Sequence, residues 1–547
     1  MGLISFLGFT IFVAVYAWWK TRHTNEKSAD GYYLGGRSLG ALTIAGSLLL
    51  TNLSAEQIVG LNGQAFTEGI LVMAWETLAA IAMVITALYF LPKYMHQGIT
   101  TIPEFIEQRF DENTKAILSI LFLIAFGIVL LPTILYSGSL AFSTMFDLPT
   151  LLGMSESGVI WMCVWGIGII GIIYAIFGGL KAVAVSDLIN AIGLLIGGLL
   201  IPYFGLKLIG DGDMLAGLQA LWTENQDKFD VTGDVTSSIP VGTIFTGMMI
   251  AQMYYWGTNQ SILQRAFGAR NLEEGQKGMM LAAFVKFLIP IVVVLPGIIA
   301  WHLFEGDLSS ADKAYPALVR TVLPPALVGF FAAVLFGAVL SSFNSLLNSS
   351  ATLFGFDLYK KFFNREATEQ KAVRAGKFFG FGLALVGMII APFIANAPAG
   401  IFDYIQQALG SLSVPILAVV LVGILTKNVP ALGAKIVMIA GVIMYIITIF
   451  LRPIYQDGAL AEAATNGITD AGQLAIIKAT AFPHFLHVMG ILFVVNIIIM
   501  LIVGAVKPKT NFYMPEMTDA IDTTPWKYAY VVGILITLLV LSTYLIF

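Results

Sequence analysis

The sequence predicts an all-α integral membrane protein of about fourteen transmembrane helices, and three observations carry that expectation. Of 547 residues, 58% are hydrophobic and only 11% are charged, against about 25% charged in ordinary soluble domains. The mean hydropathy is +0.86, more apolar surface than a soluble fold can bury. The apolar residues also gather in runs of about 20, the length that carries a helix across the hydrocarbon layer. The same figures exclude a disordered chain, and a formal charge of -4 gives no basic excess for nucleic acid.

The first run, 2–19, has no basic leader and no small-residue cleavage site, and Lys20 and Arg22 follow it. It therefore reads as a retained span with an outer N-terminus, not a signal peptide. Next come 39–64, 70–92, 114–144, 157–177 and 182–209, then 240–257, 278–302, 324–353 and 375–396. The last four are 400–425, 431–451, 483–506 and 527–547. Gly and Pro interrupt several, which lipid tolerates where neighbouring helices supply partners. Threading the chain from an outer N-terminus leaves only Lys207, Lys228, Lys313, Arg320, Arg452 and Lys478 outside and Lys286 within the membrane. The remaining Lys and Arg residues, Arg109, Lys115 and Arg265 among them, fall inside, as the positive-inside rule requires. The even count puts both termini on the outer, extracytoplasmic side.

The longest connections, 210–239 and 452–482, are too short to hold a core of their own. Function therefore resides in the membrane part, and without a GxxxxGK[ST] motif its energy comes from a gradient, not from ATP. Spans within 39–209 and within 240–426 form two sets of five. Odd-numbered sets must lie in opposite orientation, the arrangement of inverted repeats in secondary transporters. Residues 1–38 then supply an extra N-terminal helix and cytoplasmic loop, 210–239 an extracellular connection, and 427–547 three further C-terminal helices. The first helix of each set carries a polar interruption: Thr51-Asn52-Leu53-Ser54-Ala55-Glu56-Gln57 in one, and Gln252 with Gly257-Thr258-Asn259-Gln260 in the other. These are the predicted broken helices.

An ionised side chain near the bilayer centre costs roughly 2.5 to 3.5 kcal/mol on insertion scales, so such groups face a cavity or a partner. Glu56, Glu76, Asp187 and Lys286 are the four to weigh. Lys286 either snorkels to the near surface or points into the bundle. Glu76 beside Trp75 offers a carboxylate and an aromatic ring, the elements a sugar site needs for hydroxyls and for the ring's C-H face. A helix-helix hydrogen bond explains Glu76 equally well. Ala338, Ser341, Ser342 and Ser345 occupy one helical face at i, i+3, i+4 and i+7. That stripe serves either close packing or a Na+ site of hard hydroxyl and carbonyl oxygens beside an unwound helix. Tyr254-Tyr255-Trp256 near Gln252, and Phe402 near Gln406, pair aromatic faces with amides, and interfacial belts use the same residues. His484 and His487 lie beside Pro483 at the outer boundary and read as interfacial structure. The single Cys163 can form no intramolecular disulfide and reads as packing. No catalytic constellation is visible, and the chain is not expected to be an enzyme.

The combination of Asn52-Leu53-Ser54-Ala55-Glu56-Gln57, Thr101-Ile102-Pro103-Glu104-Phe105, Gly178-Gly179-Leu180, Tyr254-Tyr255-Trp256-Gly257, Gln264-Arg265 and Ser341-Ser342 resembles the sodium:solute symporter family. The bacterial sodium/galactose (sodium/glucose cotransporter-type) symporters look most similar, from about residue 30 to 426. The resemblance implies a LeuT-like five-plus-five inverted-repeat core. It also implies Na+ bound by the backbone carbonyls of Leu50, Leu53 and Ala338 and the hydroxyls of Ser341 and Ser342, with Asp187 on the ion's exit path. The sugar positions it carries over are Gln57, Glu76, Lys286 and Gln406, with Asn52 nearby, Tyr255 as inner gate and Phe402 at the outer gate. Three positions depart from the sugar transporters' pattern: Ala79 replaces a small hydroxyl residue, Gln252 an asparagine and Trp75 a tyrosine. The site is sugar-like but reshaped.

The expectation is therefore a symporter in the cell membrane that imports a neutral monosaccharide with Na+ by alternating access. Sodium binds first, holds the broken helix against the serine helix and preorganises Gln57. Each Na+ moving inward supplies about 2.3 kcal/mol per 100 mV of negative-inside potential, before its concentration term. Rival readings are another solute on the same fold (inositol, sialic acid, proline or a vitamin), a non-coupling sugar sensor or channel, and a proton-coupled pump built on Glu56, Glu76 and Asp187. The role of Glu56 stays open, as do the stoichiometry and the oligomeric state.

Overall fold

The computed structural model describes residues 1–21, 34–177, 180–305, 307–396, 400–509 and 521–546; the Gly178-Gly179 part of the motif lies outside them. Among the described residues there is no β-strand, only isolated bridges such as Leu39 with Ala269. Ten helices are long and apolar enough to cross a membrane, and Ile4–Lys20, Ala41–Asn52 and Ala529–Leu545 are shorter apolar helices. Each of the fourteen predicted spans falls on helix. Four of the predicted spans fall outside these ten among the described residues, and 2–19 and 527–547 are the short first and last helices just named. The predicted span 39–64 is interrupted, and 240–257 is assembled from short 3-10, π and α segments.

The helices used below are α1 (Gly2–Thr21), α2 (Ala41–Asn52), α3 (Ala55–Glu68), α4 (Ala74–Ile85), α5 (Leu131–Met145), α6 (Glu156–Phe177) and α7 (Leu180–Ile209). After them come α8 (Met249–Gly257), α9 (Gln260–Phe267), α10 (Leu272–Phe304), α11 (Pro325–Thr352), α12 (Glu369–Ile390), α13 (Ile401–Leu425), α14 (Ala431–Thr465), α15 (Phe485–Val506) and α16 (Ala529–Ile546). The expected span 431–451 is the first part of the longer α14, whose polar end leaves the apolar stretch. Wide π turns at Thr86–Phe90 and Ala125–Leu130 directly precede Pro92 and Pro132. Proline lacks an N-H and crowds the carbonyl four residues back, and a widened turn absorbs that clash without ending the span.

The centre of the bundle is built on α11 and α10. The serine helix α11 packs on α1, α7 and α12, while α10 packs on α2, α3 and α4. Beside the site the close approach falls at Gly60 of α3, where a Cβ would stand 3.1 Å from the backbone nitrogen of Phe402. Only a bare backbone lets α3 and the start of α13 meet, and this contact sets the roof over the site.

Candidate cation and solute site

α2 ends at Asn52 because Leu53 (φ -82, ψ 62) leaves helical geometry and Ser54 (φ -92, ψ -176) is extended. The chain then re-enters a helix at Ala55. Ser54 stands at the N-cap, yet its hydroxyl makes no capping bond, although serine there ordinarily satisfies an N-H of the first turn. Asn52 Oδ1, Ser54 Oγ and Glu56 Oε2 are all buried without a hydrogen-bond partner. The first predicted break is therefore real, and it leaves a set of unmet oxygen acceptors.

The serine helix lies against this break. Ser342 Oγ donates to the carbonyls of Leu50 and Thr51, at 3.3 and 3.0 Å. Ala338, Ser341 and Leu53 are buried on the same elements. Ser341 Oγ and Asp187 Oδ1 are buried without partners, and Asp187 Oδ2 accepts from Ser47 Oγ at 2.6 Å. The Ser341 hydroxyl lies beside the Asp187 carboxylate without a well-aligned hydrogen bond between them, so both oxygens have room for a cation. Arg265 of α9 closes the other side. It donates to Ser345 Oγ and, at 3.3 Å, to Thr51 Oγ1, and its charge is felt at Asp187.

On the far side of the first break, a cavity of about 70 Å³ is lined by Asn52, Glu56, Gln57, Trp75, Tyr255 and Lys286, together with Ala79, Gln252, Phe402 and Gln406. Lys286 Nζ donates to one oxygen of Glu76 and Gln57 Nε2 to the other. Glu76 is fully buried and Lys286 is 1% exposed, which decides between the two readings of Lys286: it points into the bundle. Gln252 Nε2 donates to the Trp75 carbonyl at 2.7 Å, so this longer amide fixes the Trp75 backbone, while Trp75 Nε1 has no partner. The Trp75 and Phe402 rings meet edge to face at 5.4 Å. Phe402 is shared by this cavity and an outer vestibule of about 520 Å³ that also touches Gln64, Asp312 and Asp403. Phe402 is the partition between the two.

The second break differs. α8 ends at Gly257, Thr258 leaves the helix (φ -140), and Asn259 caps α9 by accepting from Ser261 N at 2.9 Å and Ser261 Oγ at 2.8 Å. Thr258 Oγ1 donates to the Tyr254 carbonyl at 2.9 Å, Tyr94 OH to the Gly257 carbonyl at 3.0 Å, and Ile102 N to Gln260 Oε1 at 2.8 Å.

Sequence reasoning missed the partners of several charges. The side count put Arg265, Arg109 and Lys115 on the inner side and said nothing of their burial; Arg265 and Arg109 are fully buried. Arg109 donates to the carbonyls of Gly423, Thr426 and Val429, closing the end of α13. Lys115 pairs with Glu107 and, at 3.2 Å, with Asp357. The one signal for Arg265 was its position just beyond the second break. His484 caps α15 and His487 hydrogen-bonds Thr246 Oγ1 at 3.0 Å, the structural roles expected of them.

A bundle with two interrupted helices, and buried charges beside a cavity lined by polar and aromatic side chains, is the architecture of a secondary active transporter. The profile of the sodium:solute symporter family matches residues 32–441. The chain belongs to that family: it is a multi-pass, sodium-coupled membrane transporter, not an enzyme. It is 43% identical to the uncharacterized symporter YidK of Escherichia coli (strain K12), over 100% of this chain and 90% of that protein. It is 34% identical to the sodium/glucose cotransporter of Vibrio parahaemolyticus, over 81% of this chain and 84% of that protein. A sodium/myo-inositol cotransporter 2 of Mus musculus is 28% identical over 82% and 69%. Among solved structures, a Na+-coupled sialic acid symporter superposes with a TM-score of 0.69 at 17% identity, covering 93% of this chain and 99% of that one. That likeness shows the LeuT-like fold.

Proposed function

We propose that this protein imports a neutral polyhydroxylated solute, a monosaccharide of the glucose and galactose kind, together with Na+ across the cell membrane. The observation that carries the reading is the buried chain Lys286–Glu76–Gln57, whose Lys286 and Gln57 line a cavity walled by Trp75, Tyr255 and Phe402 while Glu76 stands behind them. It offers hydroxyls both donors and acceptors, and it offers a sugar's C-H faces three rings. Because Lys286 and Glu76 neutralise each other, the chain favours a neutral solute. Each exchanged hydrogen bond contributes about 0.5 to 1.5 kcal/mol net, so Gln57, Lys286, Gln406 and Asn52 act together. The name of the Vibrio relative supports a hexose.

The ion is assigned to the carbonyls of Leu50, Leu53 and Ala338 and the hydroxyls of Ser341 and Ser342. The contact of Ser342 with Leu50, the orphaned Ser341 hydroxyl and the unmet Asp187 oxygen support this set. Asp187 then receives the ion on its way inward. Bound Na+ clamps α11 to the first break and holds Gln57 ready. Solute closes Phe402 above itself, and rocking of the repeats 39–209 and 240–426 opens the path below Tyr255, while 427–547 remains peripheral. Both termini face outward in this reading. A second solute, a cyclic polyol such as inositol, is favoured by Ala79, which widens the site, and by the name of the mouse relative.

The test is uptake of labelled hexoses and myo-inositol into proteoliposomes, with and without an inward Na+ gradient, at fixed pH. Accumulation of one hexose only with Na+ is expected. Accumulation of inositol instead moves the assignment to the polyol, and uptake that follows pH and ignores Na+ overturns the ion assignment.

A further inference from the structure

One end of the bundle gathers Lys360, Lys361, Arg365, Lys371, Arg374 and Lys377 against Glu366 and Glu369. Large aromatic side chains stand exposed among them: Phe362 is 59%, Phe363 71% and Phe378 68% exposed. On α12 the order has a direction. Lys371 and Arg374 precede Phe378 and Phe381 at the i, i+3, i+7 and i+10 positions of one face, so a charged collar gives way to an aromatic one within about 15 Å of helix. That gradient matches the passage from phosphate headgroups to acyl chains. Some of the basic groups are engaged locally: Lys361 donates to Asn113 at 2.7 Å and Arg365 stands 3.9 Å from Glu112. Arg374 lies over the Phe378 ring, with its N-H groups left at the surface.

Beside this face runs a small groove between α6, α11 and α12, lined by Ile172, Leu347, Asn348, Lys377 and Phe381. Both amide atoms of Asn348 are buried there without a partner. Lys377 at the groove, with contacts of its own, Arg374 one turn before it on α12, an unmet amide and otherwise apolar walls describe a ligand with an anionic head and a hydrocarbon tail. Basic pockets between transmembrane helices select such headgroups.

We propose that this groove binds an anionic glycerophospholipid, with its phosphate at Arg374 and Lys377, its polar linkage at the Asn348 amide, and an acyl chain along Phe381, Leu347 and Ile172. The excess of positive charge selects against a zwitterionic lipid. Because Asn348 lies two turns beyond Ser341 on the same helix, the lipid braces the element that carries the proposed ion site. The lipid assignment itself is independent of which solute is transported.

The experiment is native mass spectrometry of the full-length protein in detergent with phosphatidylglycerol and phosphatidylcholine of identical acyl chains. The wild type should retain phosphatidylglycerol about tenfold more strongly. The double variant Arg374→Gln/Lys377→Gln should bring the two lipids to within about twofold of each other, while Arg374→Lys/Lys377→Arg keeps the preference and reports that charge and not folding is read. Asn348→Leu should weaken retention of phosphatidylglycerol. Equal retention of both lipids by the wild type, or an unchanged preference in the double Gln variant, overturns the proposal. So does complete displacement of phosphatidylglycerol by inorganic phosphate, which would mark a simple anion site.

Discussion

The two interrupted helices are alike in sequence pattern and opposite in what they leave unmet. At the first break the unpartnered atoms are oxygens: Asn52 Oδ1, Ser54 Oγ and Glu56 Oε2. At the second they are the amide nitrogens of Asn259 and Gln260, because Asn259 caps α9 and Gln260 holds the chain at Ile102. Oxygen acceptors attract cations and hydroxyl groups; amide N-H groups attract neither Na+ nor a helix dipole's positive end. The first break thus leaves acceptors suited to a cation, while at the second the oxygens are taken up by the protein itself and only amide donors remain unmet. A polar interruption in a membrane helix is suited to a cation only when it is the oxygens that its own side chains leave unmet.

The strongest way to break this comparison is to unpair the charges that face the first break. Lys286→Ala leaves the Glu76 carboxylate buried without a counter-charge, which costs about 3 to 5 kcal/mol. A large drop in thermal midpoint and loss of solute binding are expected, with Na+ binding to the surviving folded protein retained. Retained solute affinity would remove the Lys286–Glu76 chain from the site.

Next in size is Ser342→Ala. It deletes a hydroxyl that touches the carbonyls of Leu50 and Thr51, and on the proposed assignment it deletes a cation ligand. The Na+ concentration for half-maximal uptake should rise about tenfold, or about 1.4 kcal/mol. Unchanged sodium dependence would show that the oxygens of the first break serve something other than Na+.

Much of this contrast was visible in the sequence and part was not. The breaks announced themselves because Asn52 to Gln57 and Gly257 to Gln260 place polar residues where lipid tolerates few, and the serine face followed from helical spacing alone. Which break was open could not be read, since Ser54 and Asn259 are both good N-cap residues and only tertiary geometry decides that one caps and the other does not. The same holds for Arg265. Counting charges by side gave it a side of the membrane and no partner, whereas Thr51 and Ser345, far away in sequence, supply the partners that let a guanidinium be buried. The resemblance to the family supplied the roles of Gln57 and Gln406, whose composition says little by itself.

A smaller effect sharpens the comparison from the other side. Asn259→Ala removes a working cap and should cost about 1 kcal/mol of stability. Half-saturating Na+ and solute concentrations should stay as in the wild type, as uptake kinetics in proteoliposomes would check. A shifted ion or solute dependence would make the second break part of the binding machinery after all.

The smallest expected effect is the most discriminating. Ser54→Ala alters a residue of the same cap type at the matching place in the first break, yet its hydroxyl caps no backbone N-H and lies beside the Glu56 carboxylate. With no cap to lose, stability should change by less than about 0.5 kcal/mol, and a buried unmet hydroxyl removed can even favour the fold. Thermal unfolding of Ser54→Ala and Asn259→Ala in the same detergent reads the difference directly. If both variants lose about 1 kcal/mol, the Ser54 hydroxyl caps α3 in the folded protein and the first break is as closed as the second. If only Asn259→Ala does, the oxygens around Ser54 are held in reserve for what binds there.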